Sequence, residues 1–264
     1  MPTASTHNGI CWAADSNLGL MHRTNEDYYL IRPDLGLWVL CDGLSGHMEG
    51  ESASWVCAMT IADNVAGNVD LVSAIHHAHW KVWRLTYNKS RTFNQCGTTV
   101  AALMIRKKKW QVAWVGDTRV WCYEKKKMVQ ITQDHTVARQ LLNWGEINAE
   151  EAGRHPDRHR LTQVVGIGEK SLNVGSATGR WDGGQTFLLA TDGLAYWNDP
   201  GKLALILEEA EHPGQAVSLL TRASIETWAK DDFTIIVVGP DLRTGFQPGK
   251  VLKNWLNSRR LAGR

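Results

Sequence analysis

Short, nearly uninterrupted apolar runs punctuate this chain, and acidic residues stand at their ends. Residues 27–31 (DYYLI) and 37–41 (LWVLC) read as two strands joined by the turn-forming Pro33-Asp34-Leu35-Gly36. From about 49 to 65 and from 71 to 88, apolar residues recur at helical spacing. Strand character returns at 98–105 (TTVAALMI) and 110–115 (WQVAWV), with a turn at 106–109. A hairpin follows at 120–123 and 128–131, around Lys125-Lys126-Lys127. Residues 136–143 read as a helix, and 145–160 as a polar, His/Arg-rich, exposed segment. Strands are expected at 172–178 and 186–190, helices at 202–211 and 215–228, and a last β-branched strand at 233–238 (FTIIVV). Strands come in groups joined by tight turns. The pattern therefore predicts an α+β protein with antiparallel sheets and packed helices, not a βαβ parallel sheet.

Composition adds boundaries. The 264 residues make room for one large domain or two small ones, and 43% apolar content supports a sizeable core. No apolar run approaches the ~18 residues of a membrane span. MPTASTHNG has no basic region followed by an apolar stretch, so no secretory leader is expected. Five cysteines at scattered positions, without CxxC, predict reduced cytoplasmic thiols rather than disulfides or zinc. The net charge of +2 is uneven, because residues 244–264 hold five bases and no acid. The rest is slightly acidic, which excludes a general nucleic-acid-binding surface. The chain thus divides into a body at 1–243 and a basic tail at 244–264. The tail reads either as a disordered end or as an amphipathic segment, with Val251, Leu252, Trp255 and Leu256 on one face, that docks a partner or an anionic membrane surface.

The acids carry the candidate chemistry. LWVLC runs into Asp42-Gly43, TFLLAT into Asp192-Gly193, and VAWV into Gly116-Asp117. Asn25-Glu26-Asp27 and Asp231-Asp232 precede two other strands. Any single Asp-Gly is most simply a turn. As a set, they would converge at one sheet edge, where mutual repulsion calls for protons or a cation. Hard oxygen ligands suit magnesium, manganese or calcium.

The ordered motifs resemble those of the metal-dependent protein phosphatases (the PPM, or type 2C, serine/threonine phosphatases). They are Arg23-x-Asn25-Glu26-Asp27, Asp42-Gly43-Leu44-Ser45-Gly46-His47, Gly50-Glu51-x-Ala53-Ser54, Gly97-Thr98-Thr99 and Val115-Gly116-Asp117-Thr118-Arg119. Thr132-x-Asp134-His135-Thr136, His155-Pro156, Leu161-Thr162, Leu189-Ala190-Thr191-Asp192-Gly193 and Asp231-Asp232-Phe233-Thr234 complete the series. The resemblance implies a four-layer α-β-β-α sandwich with two central antiparallel sheets. It also implies two manganese or magnesium ions, with Asp42 bridging them and Asp192 and Asp231 on one. The Gly43 carbonyl serves the other, supported by Glu26 and Asp27, and Asp117 with Asp192 forms a weaker third site. Arg23 matches the arginine that grips the substrate phosphate. A hydroxide bridging the metals then attacks phosphoserine or phosphothreonine, in opposition to a serine/threonine kinase. The segment 145–160 corresponds to the family's mobile flap.

Several positions depart from the family pattern. Ser45 stands where many members have Gly: either a tolerated small residue or a disturbance beside Gly43. Leu44 stands where some members carry a leaving-group histidine, so water is the default proton donor. His47 and Asp134-His135 read as structural, and Asp232 replaces the usual asparagine, leaving Asp231 as the ligand. The lysine runs 107–109 and 125–127 read as solvated turn charges. Trp38, Trp110 and Trp114 on strands and Trp55, Trp80 and Trp83 on helical faces all read as core. A second reading, a pseudophosphatase serving as a binding module, is opposed by the retained Arg23, Asp42, Asp117, Asp192 and Asp231.

Overall fold

The computed structural model describes residues 4–44, 49–89, 96–168 and 172–240. Ser45, His47, the body–tail boundary and the tail 244–264 lie outside the described residues. The strands are β1 (Ser5–His7), β2 (Ile10–Asn17), β3 (Tyr28–Arg32), β4 (Leu37–Cys41), β5 (Gly43–Leu44), β6 (Gly97–Thr98) and β7 (Val100–Arg106). They continue as β8 (Lys109–Val115), β9 (Arg119–Glu124), β10 (Lys127–Gln130), β11 (Gly175–Arg180), β12 (Thr186–Ala190) and β13 (Phe233–Gly239). The helices are α1 (Glu49–Ala66), α2 (Leu71–Lys89), α3 (Val137–Trp144), α4 (Ala149–Arg154), α5 (Pro200–Glu209) and α6 (Pro213–Glu226).

Two antiparallel sheets form the centre, in the orders β1-β2-β13-β12-β9-β10 and β11-β8-β7-β4-β3. Their strands divide side chains between two faces, as the period of two requires. In β4, Leu37, Val39 and Cys41 pack with Cys57, Ile61, Ile75 and Ala78 of α1 and α2. Trp38 and Leu40 instead join the cluster between the sheets, with Val120, Phe187, Leu189, Ile236 and Val238. On the other side, Leu188, Ala190, Ile235 and Val237 pack with Leu203, Leu207, Val217 and Leu220 of α5 and α6. Three cores separate four layers, and both faces of the central strands are covered. That is why LWVLC and FTIIVV are apolar throughout instead of alternating with polar residues.

The expected helices and most expected strands appear within a few residues of their sequence bounds. The N-terminal hairpin β1–β2 was not expected, although Asn8-Gly9 (φ 50° and 76°) is a strong hairpin signal. Its small residues, Ala13 and Ala14, hide the strand pattern. The segment 145–160 is exposed as expected, yet it contains α4. A capping box holds that helix: Asn148 accepts from the Glu151 amide, and Glu151 accepts from the Asn148 amide at 2.7 Å. The tryptophan reading is corrected at two positions. Trp55 and Trp80 are exposed, because their helical faces turn away from the sheet.

Both lysine runs form two-residue hairpin turns. Lys107-Lys108 and Lys125-Lys126 all have positive φ, between 49° and 63°. Such turns favour Asn-Gly, and an L side chain there costs about 1 kcal/mol or more per residue. Replacing Lys107-Lys108 with Asn-Gly should therefore raise stability by about 1 kcal/mol, seen as a higher urea midpoint with an unchanged m-value.

Candidate active site

The acids converge, but on the shared end of both sheets instead of one sheet edge. Asp42 follows β4, Asp27 precedes β3 and Asp117 lies just beyond β8, all in the five-stranded sheet. Asp192 lies just beyond β12, and Asp231 precedes β13, in the six-stranded sheet. Antiparallel pairing brings these chain reversals to one end, as in Tyr28 opposite Cys41 and Ala190 opposite Ile235.

Asp27 links the sheets. Its Oδ2 accepts from Thr191 Oγ1 at 2.9 Å and Thr234 Oγ1 at 2.7 Å. Thr191 Oγ1 in turn accepts from the Thr234 amide at 2.9 Å. Asp42 is set by its own backbone: its carbonyl accepts from the Thr99 amide and Thr98 Oγ1, both at 2.8 Å. The Gly43 amide donates to the Glu26 carbonyl at 3.2 Å, and Ser54 Oγ to the same oxygen at 2.7 Å. A Cβ on Gly50 would lie 2.3 Å from Glu26 Oε2, so a side chain there would push that carboxylate aside.

Asp231 and Asp232 divide their work. Asp232 is buried and accepts from the Gly19 amide at 2.8 Å and the Glu26 amide at 3.0 Å. It is a brace for the 19–26 segment, which leaves the more exposed Asp231 carboxylate facing the site. Arg23 is exposed on that segment and makes no hydrogen bond or ion pair among the described residues. Asp134 is structural, as expected. It receives the Arg119 guanidinium at 2.6 Å, and Arg119 also stacks on Trp197. His135 holds the Gly116-Asp117 turn, donating its amide to the Gly116 carbonyl at 2.9 Å.

The electrostatics are unfavourable. Burial pushes Asp42 well above the usual carboxylate range, and Asp27, Asp192, Asp117 and Asp231 push it further. Burial also pushes Asp27 and Asp117 up to about 7, aided by neighbouring carboxylates. Asp231 is raised by burial and then by Asp192. The donor set, acid-rich, oxygen-bearing and partly buried, fits hard divalent cations.

Two histidines missed in the sequence complete the site. His22 lies 3.1 Å from Asp232 and 3.4 Å from Asp231. His159 Nδ1 lies 3.4 Å from Asp192 Oδ2 and groups with Asp117. Both imidazoles are raised, each chiefly by its hydrogen bond to the nearby aspartate. Neither stands in a spacing that marks a site; only the His/Arg richness of 154–160 pointed toward His159.

This fold and carboxylate-lined site define a metal-dependent phosphatase sandwich. The protein phosphatase 2C family model matches residues 22–228, and the chain belongs to that family as a serine/threonine protein phosphatase. The serine/threonine phosphatase stp of Listeria monocytogenes is 25% identical over 213 residues, covering 77% of this chain and 84% of the relative. PstP of Mycobacterium tuberculosis is 28% identical over 233 residues, covering 86% of this chain and 44% of that longer protein. The solved PPM Ser-Thr phosphatase MsPP from Mycobacterium smegmatis, in complex with cacodylate, matches with TM-score 0.73 at 26% identity, over 87% of this chain and 97% of that one. The PstP catalytic domain, solved with two manganese ions, shows the same fold at 22% identity, with TM-score 0.74 and coverage of 87% and 97%.

The raised Asp117 has a measurable consequence in chelated, metal-free protein. Its folded value of about 7 exceeds the unfolded value near 4, so ionisation opposes folding and stability falls as pH rises between them. Asp117→Asn carries no such charge. Its thermal midpoint should exceed that of wild type above about pH 7, with the advantage shrinking steadily toward about pH 4.

Proposed function

We propose that this site hydrolyses phosphoserine and phosphothreonine esters in proteins using two manganese or magnesium ions, in opposition to a serine/threonine kinase. The convergence on Asp42 carries the reading: the charges that bear most strongly on it are all negative. Asp42 would be shared by both ions, with Asp192 and Asp231 completing one shell. The Gly43 carbonyl would serve the other, with Glu26 and Asp27 behind it. Asp27 Oδ2 is committed to two threonines, which leaves Oδ1 to face the cation or its water. Asp117 with Asp192 would hold a labile third ion. When bound, such ions polarise the phosphoryl group and lower the pKa of water so that hydroxide forms near neutral pH.

The exposed Arg23 would present its planar fork to two phosphate oxygens and orient the ester. The two manganese ions of PstP and the phosphatase names of the relatives support this assignment. Five free cysteines support a cytoplasmic setting, and no helix among the described residues is long and apolar enough to cross a membrane. The tail 244–264 is proposed as a docking element for a partner or membrane surface.

Manganese should activate hydrolysis of an aryl phosphate and a phosphothreonine peptide, and chelator should abolish it. Asp192→Asn should lower kcat by at least ~10²-fold, since several kcal/mol of charge stabilisation is removed. Circular dichroism should remain that of wild type. A manganese-loaded wild type no faster than Asp192→Asn would sink the reading.

A further inference from the structure

Beside the catalytic end, several large apolar side chains stand in solvent. Leu20 is 64% exposed, Met21 74%, Ile225 60% and Trp228 74%. They come from the segment after β2 and from the C-terminal end of α6. Two backbone hydrogen bonds join these segments, Leu20 N to Ala229 O at 3.2 Å and Met21 N to Lys230 O at 2.9 Å. Large apolar side chains left exposed on two joined segments point to an interaction surface.

Folding does not account for Trp228. It follows Thr227, the C-cap of α6, and has φ 58°. Glycine is the usual residue in that left-handed position, and a bulky side chain there is strained. Trp228 accepts the strain and still leaves its ring in water. Tryptophan and methionine are the side chains that binding surfaces favour.

The patch is continuous with the proposed phosphate site. Met21 leads through His22 to Arg23, and Trp228 stands three residues before Asp231. His22 Nε2 closes the gap, 3.4 Å from Asp231 Oδ1. Exposed Arg23 and Lys230 supply positive charge at the margin nearest the acids.

We infer that this patch docks the substrate: a phosphoprotein segment with large apolar side chains flanking the phosphorylated serine or threonine. The inference rests on the phosphatase reading and specifies its substrate class. A phosphate held by Arg23 would bring the flanking residues toward the segment of Met21, which the segment after Trp228 adjoins. The chain's own tail is a less direct occupant. The described chain ends just after Gly239, at the far end of a seven-residue strand, about 20 Å from the Phe233 end.

The test uses the full chain with manganese, two phosphothreonine peptides and p-nitrophenyl phosphate. One peptide carries Leu and Phe beside the phosphothreonine; the other carries Ser and Gly there. Wild type should favour the apolar peptide by about tenfold in kcat/KM, equivalent to about 1.4 kcal/mol. Combining Met21→Ser with Trp228→Gly should reduce that preference to within about twofold, through KM, because the anchoring side chains are gone. Aryl phosphate turnover should hold, and the unfolding midpoint should not fall, since glycine suits position 228. Equal rates on both peptides, or a preference that survives the double substitution, overturns the inference while aryl phosphate hydrolysis keeps the phosphatase reading intact. If deleting residues 244–264 lowers the unfolding midpoint as the double substitution does, with no further loss in combination, the tail covers the patch and the inference fails. A wild type inactive on all three substrates removes the phosphatase reading and this inference together.

Discussion

Asp27 fastens the two sheets to each other at the end where the chemistry is placed. One carboxylate oxygen takes hydroxyl hydrogen bonds from Thr191, beyond β12, and Thr234, in β13. Asp27 itself enters β3 of the other sheet. Residues around it tie in the remaining pieces: the Glu26 amide reaches Asp232, and the Glu26 carbonyl receives the Gly43 amide and the Ser54 hydroxyl. The relative positions of Asp42, Asp192 and Asp231 therefore depend on two consecutive residues, Glu26 and Asp27, at one strand start. An aspartate oxygen is a suitable joint, because its lone pairs accept both hydroxyls at once.

That joint also sets the electrostatic problem. Drawing the sheet ends together buries carboxylates against one another, and burial is the larger cause of each upward shift. The scaffold answers only in part. His22 and His159 lean on Asp231, Asp232 and Asp192, but both imidazoles come from exposed segments and carry at most one charge each. A divalent cation answers the same excess with more charge and more coordination sites. The hydrophobic sandwich supplies stability elsewhere, which lets this end remain unfavourable until a cation binds.

The sandwich was legible in the sequence because its strands are buried on both faces. Runs such as LWVLC, TFLLA and FTIIVV admit few other readings when tight turns separate them. The carboxylate ligand candidates were legible for a related reason: each stands where an apolar run starts or stops. The hairpin β1–β2 was less legible because Ala13 and Ala14 blur its alternation. His22 and His159 were not legible, since long-range chain reversals bring them to the site. Asp232 stood beside the assigned ligand Asp231 with no role of its own, and only its two backbone donors, Gly19 and Glu26, show that it is a brace.

Backbone strain divides the molecule by purpose. At the end remote from the acids, Lys107, Lys108, Lys125 and Lys126 hold left-handed turns in full solvent. The second pair sits beside β10, an edge strand, where lysine opposes pairing with another sheet. At the catalytic end, the strained bulky residues among the described ones are Tyr196 and Trp228. Tyr196 recovers contact, with Lys202 Nζ 4.7 Å from its ring centroid and the α5–α6 core beside it. Trp228 recovers none of comparable extent, although it begins the link into Asp231. A fold that meets its other strained aromatic with packing leaves this one for a contact from outside, and the neighbouring acids and Arg23 fix where that contact must lead.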